Sequence, residues 1–122
     1  MKSLEQERAG RAIGPAKELE KQAVNKLPAL IVNNGLLATI SFCLSEGGGD
    51  NRGGMKRAMQ ETALHLEKRK IVGANGGDLE ALIRDLTSRS SFELQEASQE
   101  ALQFIGYLRR FAPKKEDGDG NR

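Results

Sequence analysis

The chain has 122 residues, which suits one domain, because two independent units would each have too little core. Hydrophobic residues make up 38% of it, too many for a disordered chain, and aromatic residues only 4%, which disfavours a β-sandwich or barrel. The 19 basic and 17 acidic residues give a net charge of +2, so composition alone does not identify a partner.

The first predicted helix runs from Ser3 to about Asn25. Ser3 is a residue type that caps helix starts, because its side-chain oxygen accepts a hydrogen bond from a free backbone N–H. Pro15 lies in the middle of the segment, where it removes one backbone hydrogen bond and predicts a kink. The apolar residues follow a helical stripe: Leu4, Ala9, Ala12, Ile13, Ala16, Leu19 and Ala23.

Residues 27–44 form the most apolar segment, with apolar side chains on all sides of a helical projection, as in a buried helix. Asn34-Gly35 is also typical of a hairpin turn, so two strands are the alternative. We favour the helix because Pro28 suits a first helical turn and the rest of the chain offers no partner strand. Residues 27–45 carry no charge and approach the length of a membrane span, but Pro28 and polar residues such as Asn34 favour a buried helix.

The glycine-rich residues 45–54 predict a flexible loop, because ordering glycine is entropically costly. The tail, residues 113–122, has no apolar anchor and is predicted to be disordered. Three further helices are predicted over residues 55–72, 78–86 and 92–112. The sequence therefore predicts one all-α domain over residues 1–112, a compact bundle of four main helices plus one short helix, with no sheet.

No recognisable constellation of catalytic or metal-binding residues occurs in the sequence. The lone His65 is interpreted as solvent-facing or locally bonded, and the single Cys43 as a small core residue. The glycine-rich stretches lack the Lys and Ser or Thr that a phosphate loop requires. We therefore expect no enzyme activity, metal, cofactor or small-molecule substrate. A metal-dependent nuclease that uses scattered carboxylates is the open alternative.

The single cysteine excludes an internal disulfide, and the first residues lack the pattern of a secretion signal, so we expect a cytoplasmic protein. Basic residues nevertheless cluster in three places: Lys17, Lys21 and Lys26; Lys68, Arg69 and Lys70; and Arg109, Arg110, Lys114 and Lys115. Cations near a helix C-terminus also stabilise the helix itself, so a ligand and a structural role stay open. If RNA is the partner, phosphates and sugars are the expected contacts, because stacking on bases needs exposed aromatic residues.

Two stretches of the sequence carry a family pattern. The first is LPALI at residues 27–31, followed by NGL at 34–36. The second is EAL at 100–102, followed by FI at 104–105, YL at 107–108 and RFA at 110–112. Together they resemble the small helical subunit of the type III-B CRISPR (Cmr) RNA-silencing complex, in which Trp often occupies the position of Tyr107. Gly106, which is peculiar to this chain, is interpreted as marking a close helix contact.

The resemblance implies a non-catalytic structural subunit in antiviral defence. Its expected partners are the backbone subunits of the complex, copies of itself, and the guide RNA and target RNA. The basic residues that adjoin the matching stretches are the expected contacts to the RNA backbone: Lys17, Lys21, Lys26, Arg109, Arg110 and Lys114. The alternative is a protein–protein adaptor without direct RNA contact. The copy number and the roles of Lys68, Arg69 and Lys70 stay open.

Overall fold

The computed structural model describes residues 1–45 and 51–114, and these residues form seven helices without a strand. The helices are α1 (Leu4–Ala16), α2 (Lys21–Asn25), α3 (Leu27–Asn34), α4 (Leu36–Leu44), α5 (Arg52–Lys68), α6 (Leu79–Thr87) and α7 (Ser91–Phe111). The all-α prediction is confirmed, and the helical interpretation of residues 27–44 holds over the hairpin. Two predicted helices are each divided in two.

The first division follows Pro15. The sequence predicted a kink there, but α1 ends at Ala16 and α2 begins only at Lys21. Pro15 has no N–H to continue the helical ladder. After Pro15 the chain forms a tight turn, with hydrogen bonds between residues three apart. One of them runs from the Leu19 N–H to the Ala16 carbonyl at 3.0 Å. Leu19 is buried, so this turn is anchored in the core.

The second division lies at Gly35, where φ is 96° and ψ is 159°. Gly35 ends α3 and precedes α4, and only glycine adopts this backbone conformation readily. The Thr39 hydroxyl donates to the Gly35 carbonyl at 2.9 Å, which satisfies a backbone group at the break. The apolar segment therefore forms two short helices that contact each other across the break at Gly35.

Helix α5 begins at Arg52, three residues earlier than the sequence predicted. Gly54 lies in its first turn, and a Cβ atom there would stand 2.7 Å from Ala23 Cβ on α2. Glycine at this position therefore lets two helices approach closely. The helix ends at Lys68, before the predicted Val72, as the chain turns at Lys70 with φ 62°. Residues 46–50 of the predicted loop and 115–122 of the predicted tail lie outside the described residues.

Helices α5 and α7 form the centre of the bundle. Helix α7 packs on α1, α2, α3 and α5, and α5 also packs on α4 and α6. Phe104 and Leu108 of α7 and Met59 and Leu66 of α5 are fully buried in the core. Cys43 is 1% exposed, which confirms its interpretation as a core residue, and burial raises the pKa of its thiol to about 11. Among the described residues, no helix combines the length and the apolar character that a membrane span requires.

Candidate nucleic-acid interface

The end of α7 is fastened to the short helix α2 by three hydrogen bonds. The Lys21 backbone N–H donates to the Pro113 carbonyl at 3.1 Å, and the Lys21 ammonium donates to the Arg109 carbonyl. Arg109 Nε donates to Asn25 Oδ1 at 2.9 Å. The last carbonyls of a helix have no partner within the helix, so Lys21 supplies one. As a result, basic residues far apart in the sequence lie side by side.

These contacts frame a shallow open groove of about 250 Å³. Its lining consists of five residues from α2 and α7: Lys21, Asn25, Gly106, Arg109 and Arg110. Three of the five are cations, and none of the five carries a carboxylate. In the described part of the chain, none of the three cations forms an ion pair with an acidic side chain. The groove is therefore positively charged.

The two arginines are exposed and retain hydrogen-bond donors toward solvent. Arg109 donates to Asn25 through Nε, so its two terminal nitrogens do not take part in that hydrogen bond. The Arg110 guanidinium lies 6.0 Å from the centre of the Tyr107 ring, at the outer limit of a cation–π contact. Guanidinium groups offer paired donors that match the oxygens of a phosphate. The groove can therefore hold a phosphate by charge and by geometry.

The structure brings together three of the six residues predicted to contact RNA, namely Lys21, Arg109 and Arg110. The other three are exposed and lie outside the groove lining: Lys17 after α1, Lys26 between α2 and α3, and Lys114 after the end of α7. Contact of any of the six with RNA stays a prediction.

Asn25 and Gly106 line the groove although neither was predicted as a site residue from the sequence. Asn25 is brought to Arg109 by a contact between residues 84 positions apart, which no local pattern reveals. Gly106 did stand out as a glycine inside a long helix, but its interpretation as a close helix contact is wrong. A Cβ atom there would have no heavy atom of another part of the chain within 4 Å.

A second polar cluster surrounds the carboxylate of Glu100 on α7, which is only 6% exposed. Arg8 of α1 binds it through two bonds of 2.7 and 2.9 Å, and Arg69 lies 3.2 Å away. His65 Nε2 lies 2.8 Å from the same carboxylate, and its ring stacks on Phe104 with 4.2 Å between the ring centres. The interpretation of His65 as solvent-facing or locally bonded is therefore wrong, since it is buried and paired across helices.

The surroundings of Glu100 and His65 shift both pKa values downward. Burial disfavours the charged Glu100, but the hydrogen bonds from Arg8 and His65 outweigh it and lower the Glu100 pKa to about 2. The pKa of His65 is lowered chiefly by burial, with Arg11 and Arg69 adding to the effect against the opposing pull of Glu100. We assign the neutral ring with its proton on Nε2, since Nδ1 faces Arg11 Nη1 at 3.5 Å.

This arrangement divides the basic run at residues 68–70. Arg69 is half-buried and paired with Glu100, whereas Lys68 and Lys70 are exposed. Arg69 therefore joins the helices, and the run does not act as one continuous basic patch.

Residues 4–114 match the family model described as CRISPR-associated protein (Cas_Cmr5). The match leaves out only the first three and the last eight residues, so the chain belongs to this family of CRISPR-associated proteins. Within that class it is the small helical subunit of the type III-B Cmr complex, as the sequence resemblance implied. No curated protein and no solved structure gave a significant match.

Proposed function

We propose that this subunit is a non-catalytic structural part of the Cmr complex, in the cytoplasm, that holds the backbone of guide or target RNA in the groove between α2 and α7. The observation that carries the proposal is the convergence of Lys21, Arg109 and Arg110 in one groove whose lining has no acid. Phosphate contacts of this kind give affinity and position without reading sequence. A subunit that serves guides of any sequence needs that property.

His65 and Glu100 are the histidine and carboxylate that pair with each other, and their surroundings support the non-catalytic part of the proposal. Glu100 accepts hydrogen bonds from Arg8 and His65 and is paired with Arg69, and both side chains of the pair are buried. A general acid or base needs a pKa near the working pH and access to substrate. A Glu100 pKa of about 2 and burial in the bundle suit a structural ion cluster instead.

Membership of the family supports protein partners within the complex. Phe92, at the start of α7, is 74% exposed, and aromatic side chains of this kind are enriched at protein interfaces. We therefore propose that neighbouring subunits, and copies of this chain, pack on the surface outside the groove. The adaptor without RNA contact is the competing proposal, and it assigns Lys21 and Arg109 only to fastening α7.

Arg110→Glu tests the RNA contact, because the Arg110 side chain lines the groove and makes no hydrogen bond or ion pair in the described part of the chain. The assembled complex with this variant should bind RNA several-fold more weakly, and the loss should be largest at low salt, where screening is weakest. Binding is measured by fluorescence anisotropy with labelled target RNA.

The matched control is Arg84→Glu, an exposed arginine on α6, which packs on α4 and α5. It makes the same change of charge away from the groove and should leave RNA binding unchanged. Subunit content is checked by native mass spectrometry in both complexes. Equal RNA affinity of the Arg110→Glu complex and the wild type, with all subunits present, would favour the adaptor.

A further inference from the structure

Gly106 stands inside α7, the longest helix of the described chain, without a reason in the chain itself. Glycine weakens a helix because its backbone loses more freedom on folding than that of any other residue. Two other glycines here have a structural reason, since Gly35 needs its positive φ and Gly54 lets α5 approach α2, whereas Gly10, Gly14 and Gly53 are helical glycines with open space like Gly106. Gly106 has a helical backbone and open space where its Cβ would lie.

Gly106 is one of the residues that line the basic groove. Gly106 lies three and four positions before Arg109 and Arg110, so all three share one face of α7. Lys21 and Asn25 stand on the opposite wall, on α2. A side chain at position 106 would extend between the cations and take the volume that a bound group needs.

We propose that Gly106 keeps the groove open so that an RNA phosphodiester can approach the α7 backbone between the cations. Arg109 and Arg110 flank this position, and Asn25 is a positioning residue, because its amide oxygen holds Arg109 through Nε. The inference rests on the proposed function and adds that RNA binding requires the space left by the missing side chain at position 106. The groove suits the negatively charged RNA backbone better than a protein segment, because its lining has three cations, one amide and no apolar side chain.

The test compares Gly106→Ala and Gly106→Leu with Arg110→Gln in the assembled complex. Alanine and leucine are better helix formers than glycine, and the space around position 106 is open, so both variants should fold and melt at or above the wild-type temperature. RNA affinity should fall about tenfold or more with leucine and by a smaller factor with alanine. A tenfold loss of affinity corresponds to about 1.4 kcal/mol of binding free energy. The slope of affinity against salt should become shallower with leucine as well, because a phosphate kept out of the groove is no longer neutralised by its cations.

The control is Gly10→Leu, an exposed helical glycine of α1 with equally open space, in a depression away from the groove that Arg11, Lys68 and the acidic Glu61 also line. It should leave RNA binding as in the wild type. Loss of affinity with Gly106→Leu but not with Gly10→Leu supports the inference.

Three results would overturn it, each with a different meaning. If Arg110→Gln weakens RNA binding and Gly106→Leu does not, the shape argument fails while the proposed function stands. If neither variant weakens RNA binding, the proposed function fails as well. If Gly106→Leu prevents assembly of the subunits in the absence of RNA, the groove takes a protein segment. A Gly106→Leu chain that does not fold is replaced by Gly106→Ala, whose RNA affinity then decides.

Discussion

Glu100 joins three parts of the bundle through a single buried carboxylate. It binds Arg8 of α1, His65 of α5, and Arg69, which directly follows α5. Removing one partner of a buried ion pair is costly, because the remaining charge is left without compensation. The cluster therefore ties α7, which carries the groove, to the rest of the molecule.

The pH dependence of stability tests this cluster, because His65 is the only histidine. Its folded pKa lies below its ordinary value, so the unfolded chain binds more protons once the pH falls below about 6.5. The free energy of unfolding should therefore fall from that pH downward, with a slope approaching about 1.4 kcal/mol per pH unit. A further loss should follow below about pH 4.3, as Glu100, with its pKa of about 2, is protonated first in the unfolded chain.

Urea unfolding of the purified chain at a series of pH values measures this profile. In the variant His65→Gln, the fall between pH 6.5 and pH 5 should disappear, while the loss at lower pH remains. A wild-type profile that is flat over that interval, or that rises as the pH falls, would show that His65 is charged in the folded chain.

The sequence did not indicate the Glu100 cluster. Glu100 lies in a run of polar residues that resembles an exposed helix face, and Arg8 is 92 positions away. Such a pair depends on how α1 packs against α7, and helical periodicity determines only which face of one helix is apolar. Cys43 was predictable because its neighbours Phe42 and Leu44 already mark an apolar segment.

At the scale of helices, Gly35 determines how the most apolar segment folds. Its φ of 96° and ψ of 159° lie in a region that other residues rarely adopt. Gly35→Ala should lower the free energy of unfolding by about 1 to 3 kcal/mol, because alanine is strained there. Nothing crowds a Cβ at this position, so the loss would come from the backbone alone.

Urea unfolding provides the measurement, and Gly10→Ala in α1 is the matched control. That substitution places the same methyl group in open space on a helical backbone and should be neutral or stabilise by up to about 1 kcal/mol. Equal effects of the two substitutions would show that the break between α3 and α4 does not depend on glycine.

Helix type was predictable along the described chain, and helix ends were not. The apolar stripes, with the cap at Ser3 for α1, predicted the starts of α1 and α7 correctly to within one residue. The sequence did not distinguish a kink from a break at Pro15, because that choice depends on burial of Leu19. It also assigned Gly54 to a loop, since its contact with Ala23 is long-range.

At the scale of the molecule, the net charge of +2 conceals a local concentration of cations. The fold places the ends of α2 and α7 together, so three of the predicted basic residues meet in one groove. Lys21 and Arg109 also fasten α7 through hydrogen bonds, so they combine the structural role of helix-end cations with an exposed charge. The two interpretations of these clusters are therefore compatible.

The most direct test of the basic groove is the salt dependence of RNA binding by the assembled complex. Each phosphate contact to a single strand contributes about 0.7 to the slope of log affinity against log salt. Because the groove holds one phosphate, the double variant Arg109→Gln and Arg110→Gln should bind RNA more weakly, with a slope shallower by about 0.7. A slope and an affinity equal to those of the wild type, in a complex with all its subunits, would contradict the proposal that this groove holds the RNA backbone.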